Sequence, residues 1–86
     1  MQKLRPDMDI GKNIQFLRRN AKLRQDDVVA RLHLMGIEIS KSTYAKLETN
    51  RMNIRVSELV ALSIIFDADI NDFFHGLRDE ILFEKK

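Results

Sequence analysis

A chain of 86 residues is long enough for one domain with a modest core, and 44% hydrophobic residues argue against global disorder. The absence of cysteine excludes disulfides, thiolate metal ligands and a cysteine nucleophile. No apolar run approaches the ~20 residues needed to span a bilayer. Met1 to Asp9 lacks the apolar core of a signal peptide, so we expect a cytoplasmic protein.

Charge is distributed unevenly along the chain. Residues 1–55 carry twelve Lys and Arg against six Asp and Glu, a net charge of +6, whereas residues 56–86 carry three against seven, a net charge of −4. A polyanion would be attracted to the first part and repelled by the second. The alternative interpretation is random surface asymmetry, which is common in chains this small.

The hydrophobic periodicity predicts helices along the whole chain. The first helix has Asp9 as its N-cap and an apolar face formed by Ile10, Ile14, Leu17 and Ala21. A second helix is expected from about Gln25 to Leu34, and Gly36 is the expected left-handed residue after its end.

A third, shorter helix begins after Ser40, its expected N-cap, and ends near Thr49. Asn50 then suits a left-handed position, because asparagine tolerates positive φ better than other non-glycine residues. This helix is expected to bury only Tyr44 and Leu47, so it is poorly built for a core. Its outward side chains, which can meet base edges and phosphates in a DNA major groove, are Lys41, Ser42 and Lys46.

The C-terminal third of the chain predicts a fourth helix from about Val56 to Phe66 and a short fifth helix capped by Asp69. Beyond it, Leu77 and Ile81 form an i, i+4 apolar pair, which favours a sixth helix over a frayed tail.

The fold class expected from these elements is all-α, a compact bundle of five or six short helices. No strand is expected, because the β-branched run Ile37-Glu38-Ile39 is too short to pair usefully. The expected organisation is an N-terminal arm at 1–9, the helical domain at 10–74, and a C-terminal helix or tail at 75–86.

Short sequence elements stand in a specific order along residues 10–74. They are Ile10-Gly11, Ile14, Leu17-Arg18, Leu23-x-Gln25, Val28-Val29-Ala30, Ile39-Ser40, Tyr44, Leu47-Glu48, Asn50-Arg51, Leu59, Leu62 and Ala68-Asp69-Ile70-Asn71-Asp72-Phe73. Each alone is weak, but together they resemble the Cro and lambda-repressor-like helix-turn-helix domains, also called the xenobiotic-response-element family. The resemblance implies a DNA-binding fold in which the third helix is the recognition helix.

The chain departs from this family in two places. Arg24 stands where the family usually has a Ser, Thr or Asn cap, a loss worth about 1 kcal/mol. The connection from Leu34 to Ile39 is about three residues longer than the family's minimal turn, and Ile37 or Ile39 is expected to turn inward to anchor it. Asn50 replaces the family's glycine after the recognition helix.

The resemblance implies a role for each matched position. The residues expected to reach base edges are Lys41, Ser42 and Lys46, with a preference that leans toward G·C. The residues expected to contact the DNA backbone are Gln25, Arg24, Ser40, Thr43, Asn50, Arg51 and Arg55. Arg18 and Glu48 are expected to form a partly buried bridge between the first and third helices. The alternative for Lys41 and Lys46 is that they form only a solvated helix face. The alternative for Gln25 is that it serves only as a local cap of its helix.

One short recognition helix covers only a few base pairs, too few for useful specificity, so we expect a homodimer that reads a pseudo-palindromic site. The residues expected at the dimer contact are Phe16, Leu77, Ile81 and Phe83. Phe16 falls on the polar side of the first helix, so it either covers the C-terminal segment or belongs to a partner interface.

The leading functional hypothesis is a sequence-specific DNA-binding regulator of transcription, either a repressor or an activator. The alternative is a protein-interaction or antitoxin-like module on the same fold, with weak DNA binding. An enzyme is not expected, because the chain has neither a supported Ser-His-Asp candidate nor a glycine-rich phosphate loop. No cofactor or metal is expected, since His33 and His75 lack partners at metal-ligand spacing.

Overall fold

The computed structural model describes residues 3–4 and 7–84, and the side chains of residues 7–82. The helices in this part of the chain are α1 (Gly11–Asn20), α2 (Gln25–Leu34), α3 (Lys41–Glu48), α4 (Val56–Phe66) and the short α5 (Leu77–Asp79). A 3-10 helix (Ile70–Phe74) lies between α4 and α5, and a π-helical turn (Glu80–Glu84) follows α5. The predicted all-α bundle of short helices is confirmed.

The core lies where the helices meet, because α3 packs against α1 and α2, α2 against α4, and α1 against the 3-10 helix. The largest fully buried side chains are Tyr44, Phe73, Ile14, Leu32, Ile54, Leu62 and Val28. The rings of Phe66 and Phe73 stack with their centroids 6.2 Å apart, which fastens the end of α4 to the 3-10 helix.

A residue with positive φ follows the end of each longer helix. These residues are Lys22 (φ 61°), Gly36 (φ 85°), Asn50 (φ 62°) and Asp67 (φ 52°). After α2, the amide of Ile37 donates to the carbonyl of Leu32 (2.9 Å) and that of Gly36 to His33 (3.0 Å), which is the Schellman pattern. The predictions for Gly36 and Asn50 are confirmed, whereas Lys22 and Asp67 were not anticipated.

The starts of the helices are capped partly as expected. The Ser40 hydroxyl accepts from the amide of Thr43 at the start of α3 (3.1 Å), and the Asp69 carboxylate caps the 3-10 helix. The N-cap of α1 is Ile10, not Asp9 as predicted, although the Asp9 carboxylate accepts from the Lys12 amide (3.1 Å).

The start of α2 compensates for its missing side-chain cap. The Asp27 carboxylate reaches back and accepts from the Arg24 amide (2.9 Å), which satisfies one donor that an uncapped start would leave exposed. This backbone hydrogen bond, aided by the charge of Arg24, lowers the pKa of Asp27 below its usual value.

A short antiparallel pairing was not predicted. Strand β1 (Lys3–Leu4) pairs with β2 (Ile54–Arg55), with Lys3 opposite Arg55 and Leu4 opposite Ile54. Part of the expected N-terminal arm is therefore hydrogen-bonded to the segment that leads into α4. Within residues 3–4 and 7–84, every helix is too short or too polar to cross a membrane.

Candidate nucleic-acid interface

Helix α3 has two unlike faces. Its inner face is buried and consists of Tyr44, Leu47 and Glu48. Its outer face is exposed to solvent and carries Lys41, Ser42 and Lys46, as the sequence predicts. The helix is therefore held from one side and presents polar and basic side chains on the other.

A buried ion pair joins the inner face to α1. The Arg18 Nε donates to Glu48 Oε2 (2.6 Å) and its Nη2 to Glu48 Oε1 (3.1 Å), while the two side chains are only 10% and 1% exposed. The predicted Arg18–Glu48 bridge is thus present, and it is more deeply buried than expected. A two-pronged contact of this kind fixes distance and orientation between the two helices.

The ion pair is supported by further hydrogen bonds. Arg18 Nη1 donates to the carbonyl of Leu23 (2.9 Å), and Gln25 Nε2 donates to Glu48 Oε1 (3.0 Å). Burial alone would raise the pKa of Glu48, but the hydrogen bonds from Arg18 and Gln25 outweigh it, so the pKa lies below its usual value. The same hydrogen bond to Glu48 raises the pKa of Arg18, so both shifts favour the charged forms of the pair.

Gln25 is turned further inward than the resemblance implies. Its side chain is half-buried, and its amide group serves Glu48 rather than projecting freely from the start of α2. The sequence did not show this contact because the two residues are far apart in the chain. A phosphate contact of Gln25 stays a prediction for the second N–H of the same amide.

The Asn50 side chain, which is predicted to contact the DNA backbone, makes contacts within the fold. Its Oδ1 accepts from the amides of Ile10 and Gly11 (both 3.2 Å), and its Nδ2 donates to the carbonyl of Met8 (3.0 Å). The side chain is thus used within the fold, where it caps the start of α1. It joins the end of α3 to α1, and the expected phosphate contact of Asn50 stays a prediction.

Gly11 makes this junction possible. A Cβ at this position would lie 2.6 Å from the carbonyl oxygen of Leu47, 2.7 Å from that of Glu48 and 2.8 Å from the amide of Asn50. All three atoms belong to the backbone, which cannot move aside as a flexible side chain would. Steric contact with this backbone therefore explains why the Ile10-Gly11 element has glycine at position 11.

The start of α3 is held by weaker contacts at the surface. Ser40 Oγ lies 2.9 Å from Thr43 Oγ1 and 3.2 Å from Ser42 Oγ, so the three hydroxyls form one small cluster. Lys41 Nζ lies 3.1 Å from Asp26 Oδ1 of α2, and the two side chains are 61% and 62% exposed. An exposed pair of this kind contributes little and yields readily to a competing anion.

The other predicted backbone-contacting cations lie before α2, in the case of Arg24, and after α3, in the case of Arg51 and Arg55. Arg51 is exposed and its Nε donates to Thr49 Oγ1 (3.0 Å), an arrangement that leaves the remaining guanidinium donors to solvent. The Arg24 side chain is 83% exposed beside Asp27 (3.5 Å), while Arg55 is half-buried.

The long connection between α2 and α3 is anchored at two points. Ile39 is buried and Ile37 half-buried, which confirms the predicted inward turn. His33 Nε2 lies 2.8 Å from the carbonyl oxygen and 3.3 Å from the amide nitrogen of Ile39. Sequence reasoning weighed His33 only as a metal ligand, and its i, i+6 spacing to Ile39 carries no helical signal.

The four residues predicted for a dimer contact are not equivalent. Phe16 is 66% exposed and Ile81 58% exposed, so both are available to a partner. Leu77 is only 8% exposed and belongs to the core, so its assignment to the dimer contact is wrong. The side chain of Phe83 lies outside the described residues.

Phe16 borders a surface groove of about 640 Å³. The other lining residues are Lys12, Asn13, Leu17, Asn20, Asp72 and His75. One wall is firmly set, because Asn13 Nδ2 donates to the carbonyls of Phe73 (2.9 Å) and His75 (3.0 Å). Phe16 is 66% exposed among the described residues, so most of its ring is available to a partner.

Comparison with known proteins adds no assignment, since the chain matches no family model, no curated protein and no solved structure.

Proposed function

We propose that this protein is a sequence-specific DNA-binding regulator of transcription, in which α3 is the recognition helix. The observation that carries the proposal is the contrast between the two faces of α3. A helix anchored by a buried ion pair and a buried aromatic ring presents Lys41, Ser42 and Lys46 to solvent. A fixed backbone with exposed polar donors is what base reading requires.

The dimensions of α3 fit this role. An α-helix with its side chains is about 10–12 Å in diameter and fits the major groove of B-DNA, which is about 12 Å wide, and the eight residues of α3 give it a length of about 12 Å. Lysine donates to O6 and N7 of guanine, and serine pairs with several base edges. The preferred site is therefore expected to contain G·C pairs opposite Lys41 and Lys46.

The charge distribution supports the same orientation. Helices α1, α2 and α3 all belong to residues 1–55, which carry a net charge of +6, whereas α4 and everything after it belong to residues 56–86, with −4. This asymmetry attracts a polyanion to the part of the chain that contains α3. The exposed Arg24 and Arg51 add phosphate contacts on both sides of α3 in the sequence, and Arg55, Ser40 and Thr43 are further candidates.

Two copies are expected to act together. A single short helix reads only a few base pairs, so useful specificity requires two half-sites about 34 Å apart. Of the residues predicted for the contact, the exposed Phe16 and Ile81 remain candidates.

One observation favours the alternative, a protein-interaction or antitoxin-like module. The Phe16 ring is 66% exposed beside a groove, and an exposed aromatic ring in a groove is typical of a protein-binding surface. This alternative predicts that Phe16→Ser abolishes partner capture while the affinity for duplex DNA is weak and unaffected.

Selection of binding sites from random duplex DNA tests the proposal. We expect enrichment of a two-fold symmetric sequence whose half-site centres lie about 10 base pairs apart, bound by two chains in sedimentation experiments. Recovery of unenriched DNA would contradict the proposal and leave the interaction module as the better hypothesis. A single chain on a high-affinity site would contradict the dimer alone.

A further inference from the structure

We infer that His33 is a positioning residue that sets how α3 presents its first turn to DNA, and so determines sequence preference without touching a base. This inference rests on the proposed function. It starts from the His33 latch, which we define as the contact between the His33 imidazole and the peptide groups of Ile39.

The latch spans the connection that distinguishes this chain. Helix α2 ends at Leu34, the backbone reverses through Gly36, and the chain needs several further residues to reach α3. A connection this long has more freedom than a minimal turn. The side chain of Ile39 is buried, and its backbone is held to α2 by His33, so the end of the connection is fixed at two points.

The latch does not depend on which ring nitrogen carries the proton. With a proton on Nε2, His33 donates to the Ile39 carbonyl (2.8 Å). In the other tautomer, Nε2 accepts from the Ile39 amide (3.3 Å). Either form therefore ties Ile39 to α2.

The latch acts immediately before the recognition helix. Ile39 precedes Ser40, whose hydroxyl accepts from the Thr43 amide (3.1 Å) and whose carbonyl accepts from the Tyr44 amide (2.9 Å). The orientation of the Ile39 peptide thus fixes the cap and the first turn of α3, which carries Lys41 and Ser42. The Lys41–Asp26 pair cannot replace the latch, because both of its side chains are mostly exposed.

Loss of the latch should affect presentation more than folding. His33 is exposed, so water can reach the Ile39 carbonyl when the ring is removed, and the buried Ile39 side chain still anchors the connection. The first turn of α3 then has more than one orientation. A selected site, which needs one orientation, loses affinity, whereas random DNA, bound mainly through phosphates, does not.

The experiment compares the full chain with its His33→Ala, His33→Gln and Leu34→Ala variants. Glutamine offers both a donor and an acceptor and should restore the latch in part. Leu34 is the neighbouring position on α2 and is 88% exposed, so its truncation is the matched control. Affinities are measured at one salt concentration on the selected site and on random duplex DNA.

We expect His33→Ala to weaken binding to the selected site about tenfold. Its affinity for random DNA should stay within about threefold of the wild-type value. His33→Gln should recover most of the loss, Leu34→Ala should match the wild type, and the Tm of His33→Ala should fall by about 5 °C or less. Equal loss on both DNAs, or no loss on the selected site, would overturn the inference.

A measurement without DNA separates this inference from the proposed function. Hydrogen exchange of the Thr43 and Tyr44 amides should become about tenfold faster in His33→Ala and stay unchanged in Leu34→Ala, with α1 amides as the internal reference. Unchanged exchange in His33→Ala would overturn the latch even in a chain that binds DNA. Failure of the wild type to prefer any duplex would instead overturn the proposed function.

Discussion

The two ends of α3 are held in opposite ways. At its C-terminal end, Glu48 lies in a buried ion pair with Arg18, and Asn50 binds three backbone groups at the start of α1. At its N-terminal end, Ser40 caps the helix at the surface, and Lys41 pairs with Asp26 where both side chains face solvent. The C-terminal end of α3 is therefore held by buried contacts, and the N-terminal end by contacts at the surface.

Under the proposed function, this difference separates the residues that stabilise the fold from those that contact DNA. Buried polar groups need partners, so a substitution at the C-terminal end of α3 leaves an unpaired charge or creates a clash. Either effect lowers the free energy of unfolding. Groups at the N-terminal end are already hydrated and can change partners at little cost. Substitutions at the two ends should therefore have separate effects, on unfolding at one end and on DNA affinity at the other.

The largest effect is expected for Glu48→Gln. The amide keeps the shape of the carboxylate but leaves the buried Arg18 without a counterion, which should lower the free energy of unfolding by about 3 kcal/mol at neutral pH. Urea unfolding measures the loss, with the exposed Glu38→Gln as the charge-matched control. Equal stability of Glu48→Gln and the wild type would show that the pair contributes nothing.

The same pair predicts a pH dependence. The pKa of Glu48 is lowered in the folded state, so its contribution is complete above the usual value of about 4.5 and is lost as pH falls through the folded pKa. The stability difference between wild type and Glu48→Gln should be constant above about pH 5 and shrink in acid below about pH 4. A difference that grows on acidification would mean that the sign of the pKa shift is wrong.

A smaller loss of stability is expected for Gly11→Ala. The added Cβ meets three backbone atoms within 2.8 Å, so α1 and the end of α3 must separate, at about 2 kcal/mol. Gly36→Ala is the matched glycine control. It meets no atom within 4 Å and should lose only about 1 kcal/mol through its positive φ of 85°. A larger loss of unfolding free energy in Gly36→Ala than in Gly11→Ala would contradict the claim that the close backbone approach at Gly11 excludes a side chain.

On the outer face, Lys46→Ala and Arg51→Ala should differ in kind. Lys46 is proposed to donate to a base edge, so Lys46→Ala should weaken binding to the selected site by about 1–3 kcal/mol, with much less effect on binding to random DNA. Arg51 is proposed to contact a phosphate, so Arg51→Ala should weaken binding to both DNAs alike and reduce the slope of log affinity against log salt by about one. Equal losses on both DNAs for Lys46→Ala would move base reading to Lys41 and Ser42.

The smallest effect is expected for Asp26→Asn. Removing the partner of Lys41 should change the free energy of unfolding by less than about 1 kcal/mol, because the pair is exposed. Affinity for any duplex should rise slightly, since Lys41 is released and a negative charge beside it is lost. Asp67→Asn, which follows α4, carries the same charge change and should leave binding as it was. Weaker binding by Asp26→Asn would mean that Asp26 orients Lys41 rather than competing for it.

Local patterns predicted most of the fold. The limits of α2, α3 and α4, the Ser40 cap and the left-handed Gly36 and Asn50 depend on neighbours within a few residues, and they were found where periodicity and capping rules placed them. The N-cap of α1 was misplaced by one residue, because the amides of Ile10 and Gly11 are satisfied by the distant Asn50 rather than by a local side chain.

The sequence by itself thus determined the order of the helices, the identity of the exposed face of α3 and the imbalance of charge along the chain. Only the tertiary structure decided which polar groups are used internally. It turned Asn50 and Gln25 toward α1 and Glu48, placed Leu77 in the core, and set His33 against Ile39. The physical reason is that helix periodicity records only which side of a helix is apolar. The partner of a buried polar group is chosen by residues that folding brings together from distant parts of the chain.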